Sequence, residues 1–212
     1  MLARVWSATI IGIDAVKVGV EVDVANGLPG ITVVGLPDLA VQESKERVKT
    51  AIVNAGSAYP MRRIVVNLTP ADLRKQGPSF DLPICVGILA ASGQVSGELL
   101  GDYLSLDGSL RAVTGVLSIA AAAQNMGITG LVVPAGNARE AAVVAGLKVY
   151  GLNDLTEVAT FLNHPDRFEP VKVDILDRLA QTQQYADLHD VKGQAHARRA
   201  LEIAAAGGHN LI

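Results

Sequence analysis

The sequence is short of the residues that staple, ligate or stack. Its one cysteine, Cys85, stands in an apolar run, so neither a disulfide framework nor a cysteine metal site can form, as fits a reducing cytoplasm. Three Phe, four Tyr and one Trp are few for a chain that is 50% hydrophobic, so the core must be built from Ala, Val, Ile and Leu. Positive charge is not in excess either. A net charge of -3 excludes a broad basic coat for non-specific nucleic-acid binding and leaves only local patches. No apolar stretch reaches the roughly 18 residues of a membrane helix. Residues 1–13 carry Arg4, Trp6, Ser7 and Thr9 and no cleavage site, unlike a signal peptide. The expectation is a soluble cytoplasmic protein with no membrane partner. His164, His189, His196 and His209 share no metal-ligand spacing, so no metal site is expected.

What is present is strong periodicity. Val16, Val18, Val20, Val22 and Val24 alternate with Lys17, Gly19, Glu21 and Asp23, the period of a half-buried antiparallel strand, and residues 4–24 together read as strands. Asn26-Gly27 marks a turn before a short strand at 31–34. A helix begins at Pro37-Asp38 and runs to about Asn54, with Gly56 as its stop. A strand at 64–68 is closed by Pro70, and an almost wholly apolar, hence buried, helix covers 81–91. Asp107-Gly108 centres a hairpin over 103–113. Helices follow near 116–126, 137–145 and 153–162, the last capped by Asn153, with strands at 131–133 and 148–152 between them. The order predicts an α+β class, a strand-led half joined to a βα-rich half. Residues 164–188, with His164-Pro165, Pro170 and a Gln-rich run, read as a linker carrying a short helix at 175–180. A further helix is expected over 195–206.

The densest polar cluster runs from Asn67 to Pro83. A strand ends, a glycine-bearing loop crosses, and a buried helix begins near Ser79. Amide donors converging there would stabilise developing negative charge on a nucleophile. The simpler reading is that Ser79 or Asp81 caps the helix. Basic residues form two groups. Lys45, Arg47 and Lys49 lie on one helix, where pairs such as Glu43 with Arg47 make a solvated face. Arg62, Arg63, Arg74 and Lys75 flank the strand at 64–68, and Lys75 is expected in solvent; these four suit phosphate contacts that position nucleic acid without reading its sequence.

Three blocks carry a resemblance: Val34-Gly35-Leu36-Pro37-Asp38 with Glu43-Ser44 and Arg47-Val48; Asn67-Leu68 through Phe80-Asp81-Leu82-Pro83; and Val191-Lys192-Gly193-Gln194 through Gly207-Gly208-His209-Asn210. In this order they resemble the magnesium-chelatase-like AAA+ ATPases of the ComM/YifB type, over essentially the whole chain. The resemblance implies a first domain at 1–163 with a ribosomal-protein-S5-domain-2-like fold, as in the proteolytic domain of Lon. A linker at 164–188 and the start of an AAA+ module at 189–212 would follow. In Lon-like enzymes a serine works with a lysine. Ser79 matches the nucleophile position, Leu117 takes the lysine's place, and no lysine lies between Lys75 and Lys148. A serine without its base stays protonated and weak, so no catalytic residue is expected.

The same resemblance places Val191, Lys192, Gly193 and Gln194 around an adenine. ATP and Mg2+ would serve the full-length parent, and DNA would be its low-specificity partner. That parent would be a homo-oligomeric ring, a hexamer, promoting branch migration during natural transformation or recombination. The sequence holds no G-x-x-x-x-G-K-[ST], which would be expected just past Ile212, so the chain reads as an N-terminal piece that needs no cofactor alone. Two alternatives are a Lon-like serine peptidase using Ser79 and the magnesium-chelatase ATPase subunit. That subunit opens directly with its AAA+ module, so the long first domain argues against it.

Overall fold

The alternating valines become the second strand of a four-stranded sheet. In the computed structural model, which describes residues 1–73, 75, 80–95, 112–173 and 192–208, β1 (Leu2–Ile11) pairs antiparallel with β2 (Asp14–Ala25), setting Trp6 opposite Gly19. β2 pairs antiparallel with β4 (Arg63–Thr69), and β3 (Gly30–Val34) pairs parallel with β4 at the edge, giving the order β1-β2-β4-β3. A parallel pair needs a crossover. It is α1 (Leu39–Asn54), whose N-cap Asp38 accepts a 2.8 Å hydrogen bond from the Val41 amide.

Val18, Val20, Val22 and Val24, with Val5, Ile64, Val66 and Leu68, turn one face of the sheet into the main core under α1 and α2 (Asp81–Ala91). Near the β1–β2 turn the opposite face is also covered. Ala8, with Trp6 and Ile10 beside it, belongs to a second core built on α3 (Val116–Asn125), β5 (Gly130–Pro134), α4 (Ala138–Ala141) and β6 (Lys148–Leu152). β5 and β6 form a parallel pair, and α5 (Leu155–Asn163) returns to the main core, where Phe161 sits 4.5 Å from the ring of Tyr150.

The α+β class is thus observed. Several local expectations shift. The helix expected over 137–145 shortens to a 3-10 turn and the single turn of α4, because Asn137 is buried and spends its amide on the backbone of Val113. Asp154, not Asn153, caps α5, accepting from the Glu157 amide, while Asn153 bonds to the Glu157 carboxylate instead. The first compact unit is Met1–Val173. Phe168 packs edge-on against Phe161, and the Val171 amide donates to Val149, so both hold the tail of the unit in place. Of the second unit, Asp174–Ile212, the described part is Lys192, Gly193 and α6 (Ala195–Gly207). Residues 103–111 of the hairpin expected over 103–113, the helix at 175–180 and residues 209–212 lie outside the described residues. No helix among those described is long and apolar enough to cross a membrane.

Candidate functional site

Two of the sequence blocks meet in space. Past β3 the chain turns through Gly35 at φ +96° and Leu36 at φ +54°, both left-handed, and Pro37 then bridges to Lys75. The Lys75 amide donates to the Leu36 carbonyl at 3.2 Å, and the Asp38 amide donates to the Lys75 carbonyl at 3.0 Å. The polar segment after β4 is thereby stitched to the loop that launches α1.

Lys75 corrects its expectation. It is not a solvated loop cation: its side chain is fully buried and its Nζ donates to the Pro70 carbonyl. Burial pushes its pKa below the ordinary lysine value of 10.5, and the nearby Asp72 carboxylate only partly opposes this. In the window between that lowered value and 10.5, the unfolded chain holds a proton that the folded chain does not. Stability is therefore expected to climb as pH rises through that window toward 10.5. Urea midpoints should show this climb in the wild type and a flatter profile in Lys75→Met. Parallel profiles would put the ammonium back in water.

Asp81 is also reassigned. Phe80 holds the N-cap position of α2, and no side chain caps it. The Asp81 carboxylate is instead gripped bidentately by Arg47, with Nε to Oδ2 at 2.6 Å and a guanidinium NH2 to Oδ1 at 2.9 Å. That guanidinium also donates to the Ala40 carbonyl at 3.0 Å. Arg47 therefore leaves the solvated helix face and turns inward, tying α1 to the start of α2. Burial raises the Asp81 pKa above 3.8, and the bonds from Arg47 work in the other direction. No local signal announces a pair 34 residues apart.

The remaining predicted residues are dispersed. Arg62 and Arg63 are exposed at the start of β4, and neither has a carboxylate partner among the described residues. Arg62 borders an open cleft of about 370 Å³ shared with Met1 and Gln94. Leu117 lies on the first turn of α3, half in solvent, its amide 3.3 Å from the Glu140 carboxylate. Ser79, Arg74 and Val191 fall outside the described residues, so the expected nucleophile and one side of the expected adenine site are not placed. Lys192, Gly193 and Gln194 are exposed. Gly193 at φ +75° and Gln194 at φ +49° turn the chain into α6 and leave its first-turn amides without a side-chain cap. Such an open helix start is compatible with a nucleotide edge. No group of acidic, His or Cys side chains able to hold a metal occurs among the described residues.

Comparison with known proteins follows the same division. Residues 20–137 match a family described as "Subunit ChlI of Mg-chelatase", and residues 187–212 match "Magnesium chelatase, subunit ChlI". The chain is 43% identical over 219 aligned residues to "Competence protein ComM" of Haemophilus influenzae, a match covering 100% of this chain and 43% of that protein. It is 41% identical to "Uncharacterized protein YifB" of Salmonella typhimurium and 40% identical to the Escherichia coli protein of that name. Each match covers 100% of this chain and 42% of the relative. The chain thus spans about two fifths of the length of these relatives.

Proposed function

The chain belongs to the family of subunit ChlI of magnesium chelatase, and from that membership we propose that it is the N-terminal part of a ComM/YifB-type AAA+ motor that moves on DNA at the cost of ATP. In this reading the first unit, with a Lon-like S5-domain fold, is a non-proteolytic DNA-facing collar of a homo-oligomeric, hexameric ring. The second unit begins the ATPase module, where Lys192, Gly193 and Gln194 would border the adenine of Mg-ATP beside Val191. Branch migration in transformation or recombination is the activity such a motor would perform.

The observation that carries the DNA-facing role is the pair of arginines, Arg62 and Arg63. They are side by side, solvent-exposed and without carboxylate partners among the described residues, while Lys75 and Arg47 are engaged inside the fold. Surface guanidiniums without a carboxylate partner suit phosphate, because the planar fork of each can meet two of its oxygens at once.

The test is binding of labelled DNA as a function of salt. Each phosphate contact contributes a slope of about 0.9 in log K against log[salt] on duplex DNA. Arg62→Gln with Arg63→Gln should therefore weaken binding across all sequences and flatten the slope by about 2. An unchanged slope would overturn the assignment.

Lys75 favours a second reading. A buried lysine that sheds its proton more readily than usual lies four positions before Ser79, and could act as base for a peptidase serine. A serine-reactive probe that labels the wild type but not Ser79→Ala would select that reading over the motor collar.

A further inference from the structure

One face of the four-stranded sheet is closed by hydrophobic side chains; much of the other stays open and is chemically unlike a core. Its residues follow from the register. β1 gives Arg4 and Trp6, β2 gives Lys17, Gly19, Glu21 and Asp23, β4 gives Arg63, Val65, Asn67 and Thr69, and β3 gives Thr32 and Val34. Every one of these except Gly19 is at least partly exposed. Trp6 stands where the α3 layer ends and packs against its edge.

The indole sits close over Gly19. A Cβ at that position would come within 2.5 Å of the Thr69 Oγ1 and 3.2 Å of the Trp6 ring, so any larger residue would push the ring off the sheet. Two cations attend it. The Lys17 ammonium lies 3.6 Å from the ring centroid and the Arg4 guanidinium carbon 5.6 Å. The acids of the face are already neutralised. Glu21 accepts from Asn67 at 3.0 Å and from Arg4 at 2.6 Å, bonds that in that order hold its pKa below the usual carboxylate value. Asp23 lies 3.6 Å from the N-terminal ammonium. Lys17 and Arg63 are left without carboxylate partners among the described residues.

We propose that this open face binds single-stranded DNA, one base stacking on Trp6 while Lys17 and Arg63 meet flanking phosphates. The proposal rests on the DNA-facing reading above and names the form of DNA taken. An aromatic ring on a sheet, a long flexible lysine lying over its face that a base would displace toward a phosphate, and a further cation along the strand are the parts of a stacking platform. The stretch from Arg63 to Thr69 gives a track of about 20 Å at ~3.3 Å per residue. A duplex keeps its base faces covered and cannot use the ring. A protein partner would ask for a patch whose centre is depleted of charge, whereas β1, β2 and β4 each present charged groups here.

Trp6 is the only tryptophan in the chain, so its fluorescence reports this site alone. The 212-residue chain should be titrated with an unlabelled oligothymidylate, reading tryptophan emission. Binding of the same oligonucleotide, end-labelled, is followed in parallel by anisotropy. The expected result is quenching that saturates with the anisotropy, no quenching by a duplex, and binding at least about fivefold weaker in Trp6→Leu and in Lys17→Gln. Trp6→Phe should lie between, since a smaller ring still stacks; circular dichroism of each variant checks that the fold survives. DNA binding that depends on Arg62 and leaves Trp6 emission and the Trp6→Leu affinity unchanged would overturn the platform and keep the proposed function. No DNA binding by either readout would overturn both.

Discussion

Arg47→Met is expected to destabilise the chain by about 3–5 kcal/mol, the usual consequence of stranding one member of a buried ion pair. The asymmetry of the pair makes this the damaging direction. Asp81 is 1% exposed, and the two bonds from Arg47 are its described charge partners. Once the guanidinium is gone, the carboxylate must stay charged in an apolar setting or take up a proton. The sign of the pH dependence follows. Without Arg47 the folded-state pKa of Asp81 rises further above its ordinary 3.8. The penalty is then fully present above that raised value and is relieved as pH falls through it toward 3.8. Denaturant unfolding of Arg47→Met should therefore show its largest deficit at neutral pH and a smaller one in mild acid. Adding Asp81→Leu should recover most of the loss, since an apolar pair of similar volume carries no charge to desolvate. A deficit that ignores pH, or that the second substitution deepens, would mean that the pair is incidental and that packing of the Arg47 stem dominates.

This ion pair also shows where the sequence stops being readable. Several elements announced by a local rule were found where expected. The valine alternation produced β2, Asp38 and Gly56 bound α1, and the apolar run from Asp81 to Ala91 is a buried helix. What escaped depends on partners distant along the chain. Asp81 beside a helix start reads as a cap, yet a guanidinium 34 residues earlier offers it two charged bonds instead of one amide. Lys75 reads as solvated because lysines usually are. Its backbone is bonded to the β3–α1 loop, a pairing that no spacing rule encodes. The parallel β3–β4 pairing set up by α1 was equally silent, since a period of two says nothing of which neighbour a strand chooses. At the candidate site the exposed arginines were legible from composition. Trp6 was not, because its setting depends on the register that places Gly19 beneath it.

Gly35→Ala should be the most harmful single methyl in the described fold, costing on the order of 3 kcal/mol or more. Two penalties add. At φ +96° the backbone lies in the region that L residues avoid, which costs roughly 1–2 kcal/mol for alanine. The new Cβ would also stand 2.1 Å from the Leu68 carbonyl oxygen and 2.9 Å from the Leu68 carbon and nitrogen. These are backbone atoms of β4 and cannot rotate away. The turn would have to lift off the strand, and with it the Leu36 and Asp38 hydrogen bonds that hold Lys75. Gly56→Ala is the control: it has φ +72° and nothing within 4 Å of the added carbon, so only the conformational penalty applies. The difference between the two unfolding free energies measures the collision together with the hydrogen bonds it lifts. Equal losses would show that the β3–α1 turn yields freely, and the close seating of the Val34–Asp38 block on β4 would then have no bearing on stability. A much larger loss in Gly35→Ala, with an altered alkaline pH profile below 10.5, would tie that block to the buried state of Lys75.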